Sequence, residues 1–384
     1  MSVEDKANKN GPRKLLALDG GGIRGVMTLE VLAKIESELQ NKLGRANDFV
    51  LSDYFDYIAG TSTGAIIATC LALGMRVDDI EQFYIDSGPA MFDKASLLAR
   101  FFKGKFHDEK LKLKLQTIIA EKTGEPEATL GSDKIRTYLM LVLRNATTDS
   151  PWPLSNNPKA KYNDRSRPDC NLDLPLWQLV RGSTAAPTYF PPEVITFGKP
   201  PNKTYDFIFV DGGVTMYNNP AFQLFLMATV GQYKLGWPTG KDKMLLVSIG
   251  TGAAADANAS LEPSEMNLIY NAASIPSALM YAASNEQDLL CRVLGDCKCG
   301  ANIDNEVLDL MGQLGGGPVS PKLFTYVRYN ADLSRRGLDA LGLPNIDPKT
   351  VQKLDSVEFI PQLQEVGRAV AKKVNIDDYA GFLD

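Results

Sequence analysis

Short apolar runs alternate along this chain with stretches in which apolar residues recur at helical spacing. Residues 15–18 form the first run. Behind it, apolar residues return every three or four positions at Val26, Leu29, Leu32, Ile35 and Leu39. Further strands are predicted at residues 55–59, 135–142, 207–210, 244–249 and 323–329, and further helices at 65–73, 176–185, 221–230, 265–294 and 357–374. Because buried strands that alternate with helices build layered domains, the pattern predicts an α/β fold.

The organisation of the chain follows from the same pattern. Residues 149–173 are rich in Pro, Asn, Ser and charged residues, which predicts a long surface loop. A weakly marked domain boundary follows the strand predicted at 244–249. We therefore expect a core over residues 14–250 and, over residues 251–384, a mostly helical C-terminal extension packed on that core.

The segment GTSTG at residues 60–64 is a G-x-S-x-G between a predicted strand and a predicted helix. In that setting the serine lies on a sharp turn with its hydroxyl pointing outward, and Gly60 and Gly64 remove side chains that would crowd it. The positive end of the following helix lies beside it. A strand-to-helix turn with a capping serine is the alternative. The segment makes Ser62 a candidate nucleophile.

A second glycine-rich segment, DGGGIRG at residues 19–25, contains G-x-G-x-x-G through Gly20, Gly22 and Gly25. This pattern is typical of dinucleotide-binding turns. Arg24, and the lack of a strand ending in Asp or Glu about 20 residues later, argue against that use. Bare N–H groups at a helix N-terminus also stabilise an oxyanion, and one such donor is worth about 3–4 kcal/mol. Arg24 is expected to support this loop or to meet a phosphate head group.

Asp211 ends a predicted strand and precedes Gly212 and Gly213. An acid at the end of a strand in an α/β sheet is expected in the same crevice as the strand-to-helix turns, whereas a turn aspartate bonded to its own loop is the alternative. The one histidine of the chain, His107, lies in a charge-dense stretch and is interpreted as a surface residue. A nucleophilic Ser62 therefore needs another base, and a partly desolvated Asp211 is the candidate.

Composition excludes several classes of function. With 41 basic and 46 acidic residues the net charge is −5, which gives no general attraction to a nucleic-acid polymer or to an anionic membrane. The start of the chain is polar, unlike a secretory signal, and no run reaches the roughly 18 apolar residues of a membrane span. A cytoplasmic protein is therefore expected. The five cysteines lack paired C-x2-C spacing and are interpreted as structural thiols, so no metal is expected.

Together, DGGGIRG at 19–25, GTSTG at 60–64 and DGG at 211–213 resemble the patatin-like phospholipase family in order and in setting. The segment RGSTAAPTYF at 181–190 is similar to the stretch that precedes the aspartate strand of that family. The resemblance covers about residues 14–250. It implies a three-layer α/β/α sandwich with a mainly parallel central sheet.

The same resemblance implies a chemistry. Ser62 is expected to be the nucleophile and Asp211 the base, with the backbone N–H groups of Gly21 and Gly22 forming an oxyanion hole beside Arg24. The implied reaction is hydrolysis of fatty acyl esters of phospholipids or related polar lipids through an acyl-serine intermediate. It requires neither a metal nor a cofactor.

An enzyme that acts on lipids must meet an aggregated substrate. Residues 91–105 combine aromatic side chains with four basic ones, and we interpret them as a lid or as a patch that contacts membrane phospholipids peripherally. A helix packed on the core is the alternative.

Other functions stay open at this point. The same site would make an acyltransferase if another lipid accepted the acyl group, and the glycine-rich turn alone would make a nucleotide-binding module. Bacterial members of the family include cyclic-nucleotide-activated phospholipases of antiphage defence. A cyclic-nucleotide activator and that antiviral role are compatible with a cytoplasmic chain that carries a helical C-terminal region. Association of the chain with further copies of itself, as a homo-oligomer, also stays open.

Overall fold

The computed structural model describes residues 2–92, 108–187, 190–254, 268–304, 306–311 and 319–383. Strands within these residues form one nine-stranded sheet. In chain order they are β1 (Arg13–Leu18), β2 (Tyr57–Thr61), β3 (Tyr138–Asn145), β4 (Ser150–Ser155), β5 (Glu193–Phe197), β6 (Tyr205–Asp211), β7 (Met244–Ile249), β8 (Asp296–Cys299) and β9 (Thr325–Tyr329). Their spatial order is β5-β6-β3-β2-β1-β7-β9-β8, and β4 pairs with β3.

The sheet is mainly parallel. β3, β2, β1, β7, β9 and β8 all run in one direction. The antiparallel pairs are confined to the β3 side, where β4 and β6 both run against β3 and β5 runs against β6. The apolar runs that predicted β1, β2 and β7 are fully buried, as expected for strands covered on both faces.

Helices cover both faces of the sheet. They are α1 (Val3–Asn8), α2 (Gly25–Lys42), α3 (Leu51–Tyr54), α4 (Thr63–Ala72), α5 (Val77–Phe92), α6 (Asp108–Thr123), α7 (Leu176–Ser183), α8 (Ala221–Thr229), α9 (Leu268–Leu294), α10 (Arg335–Ala340), α11 (Pro348–Val351) and α12 (Ile360–Ala371). Successive residues of β1 point to opposite faces, so Leu16 belongs to the core under α2 and α4, and Leu15 to the core under α8. This arrangement confirms the predicted three-layer α/β/α fold.

The predicted loop at 149–173 was wrong over its first part, because Ser150–Ser155 forms β4. Its two prolines, Pro151 and Pro153, suggested a loop because proline cannot donate to a strand ladder. β4 pairs only with β3 among the described strands, so it lies at an edge where prolines are tolerated. Trp152 of this strand stacks on Phe209 of β6 with ring centroids 4.9 Å apart.

The chain after residue 250 extends the same sheet. β9 was predicted, whereas the short strand β8 was not; β9 pairs with β7, and β8 pairs with β9. The same part of the chain supplies α12, which packs against α2. The division into residues 14–250 and 251–384 stays a prediction.

The described residues contain neither a membrane-spanning helix nor a cluster of metal-binding side chains. None of the described helices combines the length and the apolar character needed to cross a membrane. No group of three or more His, Cys, Asp or Glu in the described part of the chain is placed to hold a metal ion.

Candidate active site

Ser62 lies on a strained turn between β2 and α4. Its backbone has φ 54° and ψ −124°, a conformation that residues other than glycine rarely adopt. The turn is tight because a Cβ on Gly60 would lie 2.0 Å from the carbonyl oxygen of Gly64, and a Cβ on Gly64 would lie 2.3 Å from that of Leu18. Both glycines are therefore required by close backbone approach.

Ser183, at the end of α7, holds this turn. The N–H of Ser62 donates to Ser183 Oγ at 3.0 Å, and Ser183 Oγ donates to the carbonyl oxygen of Val142 at 2.6 Å. The strained residue is thereby tied to β3. The segment 181–190 was noted from its sequence, but Ser183 itself was not predicted to act, because a single buried serine in a helix carries no distinguishing signal.

Asp211 reaches Ser62 through the register of β3. β2 runs along β3 as far as the pair Thr61 and Val142, and β6 runs the opposite way along β3 to the pair Asp211 and Leu143. β4 occupies the other edge of β3, so β2 and β6 share one edge and end against each other. Ser62 Oγ donates to Asp211 Oδ2 at 2.6 Å.

The Asp211 carboxylate is buried, with 4% of the residue exposed. Burial raises its pKa to about 6, although the hydrogen bonds from Ser62 and from the Gly213 N–H oppose this rise. The Gly213 N–H donates to Asp211 Oδ1 at 2.6 Å, which leaves Oδ2 to the serine. The carboxylate is consequently a stronger base than an exposed aspartate and is still mostly ionised at neutral pH. His107 lies outside the described residues.

The glycine-rich loop between β1 and α2 packs directly against this pair. A Cβ on Gly20 would lie 3.2 Å from the Ser62 Cβ and 2.4 Å from Asn218 Oδ1. The Gly20 N–H donates to the Asn218 carbonyl oxygen at 3.0 Å. A Cβ on Gly21 would lie 2.1 Å from Thr251 Oγ1. A side chain at Gly20 or Gly21 would therefore collide with Ser62, Asn218 or Thr251, so only glycine fits at these two positions.

The next two amides of the loop, those of Gly21 and Gly22, have no partner among the residues that the structure describes. Within the described part of the chain, no hydrogen bond from the N–H of Gly21 or Gly22 is found. Gly22 has φ 57°, in the left-handed region that favours glycine. Such N–H groups at the start of a helix are suited to receive negative charge.

Comparison with known proteins identifies the family. The family model "Patatin-like phospholipase" matches residues 16–225, which is more than half of the chain. The chain belongs to the patatin-like phospholipase family. Its curated relatives include Patatin-17 of Solanum cardiophyllum, 29% identical over 262 residues, and Patatin-T5 of Solanum tuberosum, 28% identical over 255 residues.

The patatin relatives are aligned over part of their length. Each of these two alignments covers 63% of this chain and 61% of the relative, so the chain spans less than two thirds of the patatins that it matches. Among solved structures, VipD from Legionella pneumophila aligns with a TM-score of 0.36 and 13% identity, over 93% of this chain and 67% of that one. A TM-score this low does not establish a shared fold.

Arg24 of this patatin-like chain bonds to the backbone of Gln352 and of its own loop. Its Nη1 donates to the carbonyl oxygen of Gln352 at 3.2 Å, and its backbone N–H donates to the carbonyl oxygen of Gly21, also at 3.2 Å. Among the described contacts none joins Arg24 to Ser62 or Asp211. The first of the two roles expected from the sequence, support of the loop, is the one that this geometry favours.

The remaining glycines of the patatin-like motifs allow the three turns to pack closely. A Cβ on Gly25 would lie 2.5 Å from Thr63 Oγ1, and one on Gly212 would lie 2.2 Å from the carbonyl oxygen of Val142. Gly213 supplies the N–H that fixes Asp211 Oδ1. Larger residues at these positions would push the turns apart.

Besides Ser183, two further neighbours of the site were not predicted from the sequence. A side chain on Gly20 or on Gly213 would collide with Asn218 Oδ1. This asparagine therefore fills the space between the two glycine turns. Thr251 Oγ1 donates to the carbonyl oxygen of Gly20 at 2.7 Å. Asn218 follows the motif at 211–213 and Thr251 follows the predicted strand at 244–249. A single Asn or Thr in a turn is common in proteins of every function, so neither residue could be singled out.

Proposed function

We propose that this protein hydrolyses fatty acyl esters of phospholipids, with Ser62 as the nucleophile and Asp211 as the general base. The observation that carries the proposal is the 2.6 Å hydrogen bond from Ser62 Oγ to Asp211 Oδ2, made by a serine on a strained strand-to-helix turn. Membership of the patatin-like phospholipase family supports a lipid acyl ester as the substrate class.

In the first step Ser62 Oγ attacks the carbonyl carbon of the ester while its proton passes to Asp211 Oδ2. The direct contact between the two side chains supports this transfer without an imidazole between them. The raised pKa of Asp211, about 6, supports it further, because a carboxylate of higher proton affinity removes the serine proton more readily.

The carbonyl oxygen becomes an oxyanion when Ser62 attacks. We assign its stabilisation to the N–H groups of Gly21 and Gly22, which have no acceptor among the described residues and belong to the loop that packs on Ser62. One donor of this kind is worth about 100-fold to 1,000-fold in rate. Arg24 then serves to support the loop through Gln352.

The intermediate collapses when the bond to the leaving alcohol breaks. Asp211 returns its proton to the departing alkoxide, and an acyl ester of Ser62 remains. Asp211 next removes a proton from water, the resulting hydroxide attacks the acyl carbon, and the Ser62 oxygen leaves and regains that proton from Asp211. The products are a free fatty acid, a lysophospholipid and the unchanged enzyme.

Two exposed apolar residues that follow Asp211 in the chain support an acyl substrate. Val214 and Met216 follow Asp211 closely in the chain and are 37% and 46% exposed. Exposed apolar side chains at this place are suited to contact an acyl chain or a membrane surface. Of the patch predicted at 91–105, residues 93–105 lie outside the described residues, and the patch stays a prediction.

A nucleotide-binding module is the less well supported alternative. Gly20 packs against Ser62, and the Gly20 N–H is already bonded to Asn218, so one amide of the glycine-rich turn is unavailable to a pyrophosphate. Acyl transfer to another lipid, a cyclic-nucleotide activator, an antiviral role and a homo-oligomer stay predictions of the sequence.

A fluorophosphonate probe tests the proposal, because it reacts covalently with activated serine hydroxyls. We expect the parent protein to be labelled on Ser62 and to release fatty acid from phosphatidylcholine vesicles, and Ser62→Ala to do neither. Ser52→Ala is the matched control, since Ser52 is buried and its Oγ has no hydrogen-bond partner among the described residues. Equal labelling of the parent and of Ser62→Ala would reject the proposal.

A further inference from the structure

Asp19, the first residue of the glycine-rich segment, is held by a residue more than 300 positions away in the chain. Arg328 Nη1 donates to Asp19 Oδ1 at 2.9 Å, and Arg328 Nη2 donates to Asp19 Oδ2 at 2.6 Å. The side chains of both residues are buried, with 4% of Arg328 and 6% of Asp19 exposed. The pairing is bidentate, so it fixes the orientation of the carboxylate as well as its position.

The path of the Arg328 side chain explains why it reaches Asp19. Arg328 in β9 is paired in register with Ser248 in β7, and Ser248 is paired with Ala17 in β1. The Arg328 side chain therefore crosses β7, where Nη1 donates to Ser248 Oγ at 2.7 Å. Its guanidinium group reaches the carboxylate of Asp19, which follows β1. Asp19 is the residue immediately before Gly20, so its position determines where the loop leaves the sheet.

A buried ion pair of this kind is not explained by stability alone. The free energy needed to remove two charges from water often equals or exceeds their attraction, and an apolar pair of similar size is frequently as stable. Losing one partner, by contrast, leaves an uncompensated buried charge. A pair at this location is better explained by the precise placement of the adjacent loop.

Other contacts to the glycine-rich loop also come from the C-terminal part of the chain. The Ile23 N–H donates to the carbonyl oxygen of Leu354 at 3.0 Å. The contacts from Arg24 to Gln352 and from Thr251 to Gly20, described above, add two more. These partners all follow residue 225, where the match to the family ends. The loop is thus completed by residues beyond the family-matched region.

We propose that Arg328 is a positioning residue: by fixing Asp19 it holds the N–H groups of Gly21 and Gly22 beside Ser62. This role rests on the proposed function, in which those groups stabilise the oxyanion. Without Arg328 the loop moves relative to Ser62, while Ser62 and Asp211 keep their mutual contact through β3. The turnover number falls and the binding of the acyl chain is little affected.

The test compares Arg328→Met with the double variant Asp19→Asn/Arg328→Met, using a soluble ester. We expect the single variant to lower kcat at least about 100-fold, with KM within about threefold, and to lower the thermal midpoint. The double variant removes both charges, so its thermal midpoint recovers toward that of the parent, whereas its kcat stays low. If kcat recovers together with the midpoint, Arg328 is merely structural and the proposal is wrong.

Arg292 provides a matched control. It is a second buried arginine in a bidentate pair, with Asp288, and its other bonds go to the carbonyl oxygens of Ala301 and Asp309 rather than to the loop. Arg292→Met should lower the thermal midpoint and leave kcat of the remaining folded protein close to that of the parent. A loss of kcat equal to that of Arg328→Met would show that any buried arginine has this effect and would overturn the proposal.

Amide hydrogen exchange of the peptide over residues 19–25 separates this proposal from the proposed function. Exchange should be at least about 10-fold faster in the double variant than in the parent, because the loop is no longer held. Unchanged exchange overturns the positioning role even if the protein is an active hydrolase. If the parent and Ser62→Ala are equally inactive on esters while exchange still accelerates, the hydrolase function fails and the holding of the loop by Arg328 stands.

Discussion

Asp211 and Ser62 approach each other from opposite directions along one edge of β3, and their side chains meet at 2.6 Å. Consecutive residues of β3, Val142 and Leu143, pair with the last residue of β2 and the last residue of β6. The separation of hydroxyl and carboxylate is therefore determined by sheet register, which is more rigid than a loop. Such rigidity suits the direct proton transfer from Ser62 to Asp211 that we propose.

The ionisation of Asp211 predicts the pH dependence of hydrolysis. Only the carboxylate form can accept the serine proton, and the pKa of Asp211 is raised to about 6. We expect kcat/KM on a soluble ester to increase with pH through a midpoint near 6 and to level off above about pH 7, because the free enzyme is then fully ionised. A profile that is flat between about pH 5 and pH 8 would contradict the assignment of Asp211 as base.

Burial of Asp211 also predicts how its substitution affects stability. The pKa rises on folding from an ordinary 3.8 to about 6, so protonation favours the folded state. The stability that this group contributes is complete below about pH 4 and is lost as the pH rises through about 6. Asp211→Asn does not titrate. Relative to the parent, its free energy of unfolding should therefore increase by about 1–3 kcal/mol between pH 4 and pH 7.5.

Thermal or urea unfolding at the two pH values provides this measurement. Ser52→Ala serves as the control, because it removes a buried hydroxyl without changing a titrating group. The free energy of unfolding of Asp211→Asn relative to the parent could instead stay constant or fall as the pH rises. That result would show that burial does not destabilise the Asp211 carboxylate.

Gly22 should be far more sensitive to substitution than another glycine with the same backbone. Gly22 has φ 57° and a Cβ there would lie 2.3 Å from the carbonyl oxygen of Leu354, whereas Gly44 has φ 58° and open space around it. Alanine at either position strains the backbone by about 1 kcal/mol. Only Gly22→Ala also displaces the loop, so it should lower kcat at least about 100-fold. Steady-state kinetics that show equal activity for the two variants would exclude an oxyanion role for this loop.

Exposed apolar residues beside Asp211 predict a dependence on membrane surfaces. Met216→Glu should lower hydrolysis of vesicles about 10-fold or more and leave hydrolysis of a soluble ester unchanged, because a charged residue is excluded from the lipid interface. Leu113→Glu is the matched control, since Leu113 is 56% exposed and lies on α6 rather than close to Asp211 in the chain. Equal losses on both substrates would indicate damage to the site instead of weaker membrane contact.

Much of the fold could be predicted because the central strands are buried on both faces. β1, β2 and β7 are short apolar runs, and such runs are readily distinguished from loops. β4, β5 and β8 were missed. β4 and β8 are edge strands that carry proline and polar residues, as the sequences SPWPLS and DCKC show, and β5 is an edge strand of only five residues. Their existence depends on a neighbouring strand, which a local pattern does not reveal.

The candidate site was predictable where a motif and a strand end coincide. Ser62 and Asp211 were singled out for that reason, and Asp211 was expected in the same crevice as the strand-to-helix turns. The direction of the strand that carries Asp211 was not predicted: β6 is antiparallel to β3 and ends against β2. The contacts of Ser183 with Ser62 and of Arg328 with Asp19 could not be predicted, because each is a long-range contact that only the register of the sheet creates.

The initial rate of fatty acid release from phospholipid vesicles by Asp211→Asn tests the central claim most directly. Asparagine preserves the shape of the side chain but cannot accept the serine proton, so the rate should fall at least about 1,000-fold, to the level of Ser62→Ala, with the thermal midpoint within a few degrees of the parent. Folded Asp211→Asn protein that keeps more than about a tenth of the parent rate would show that another group is the base.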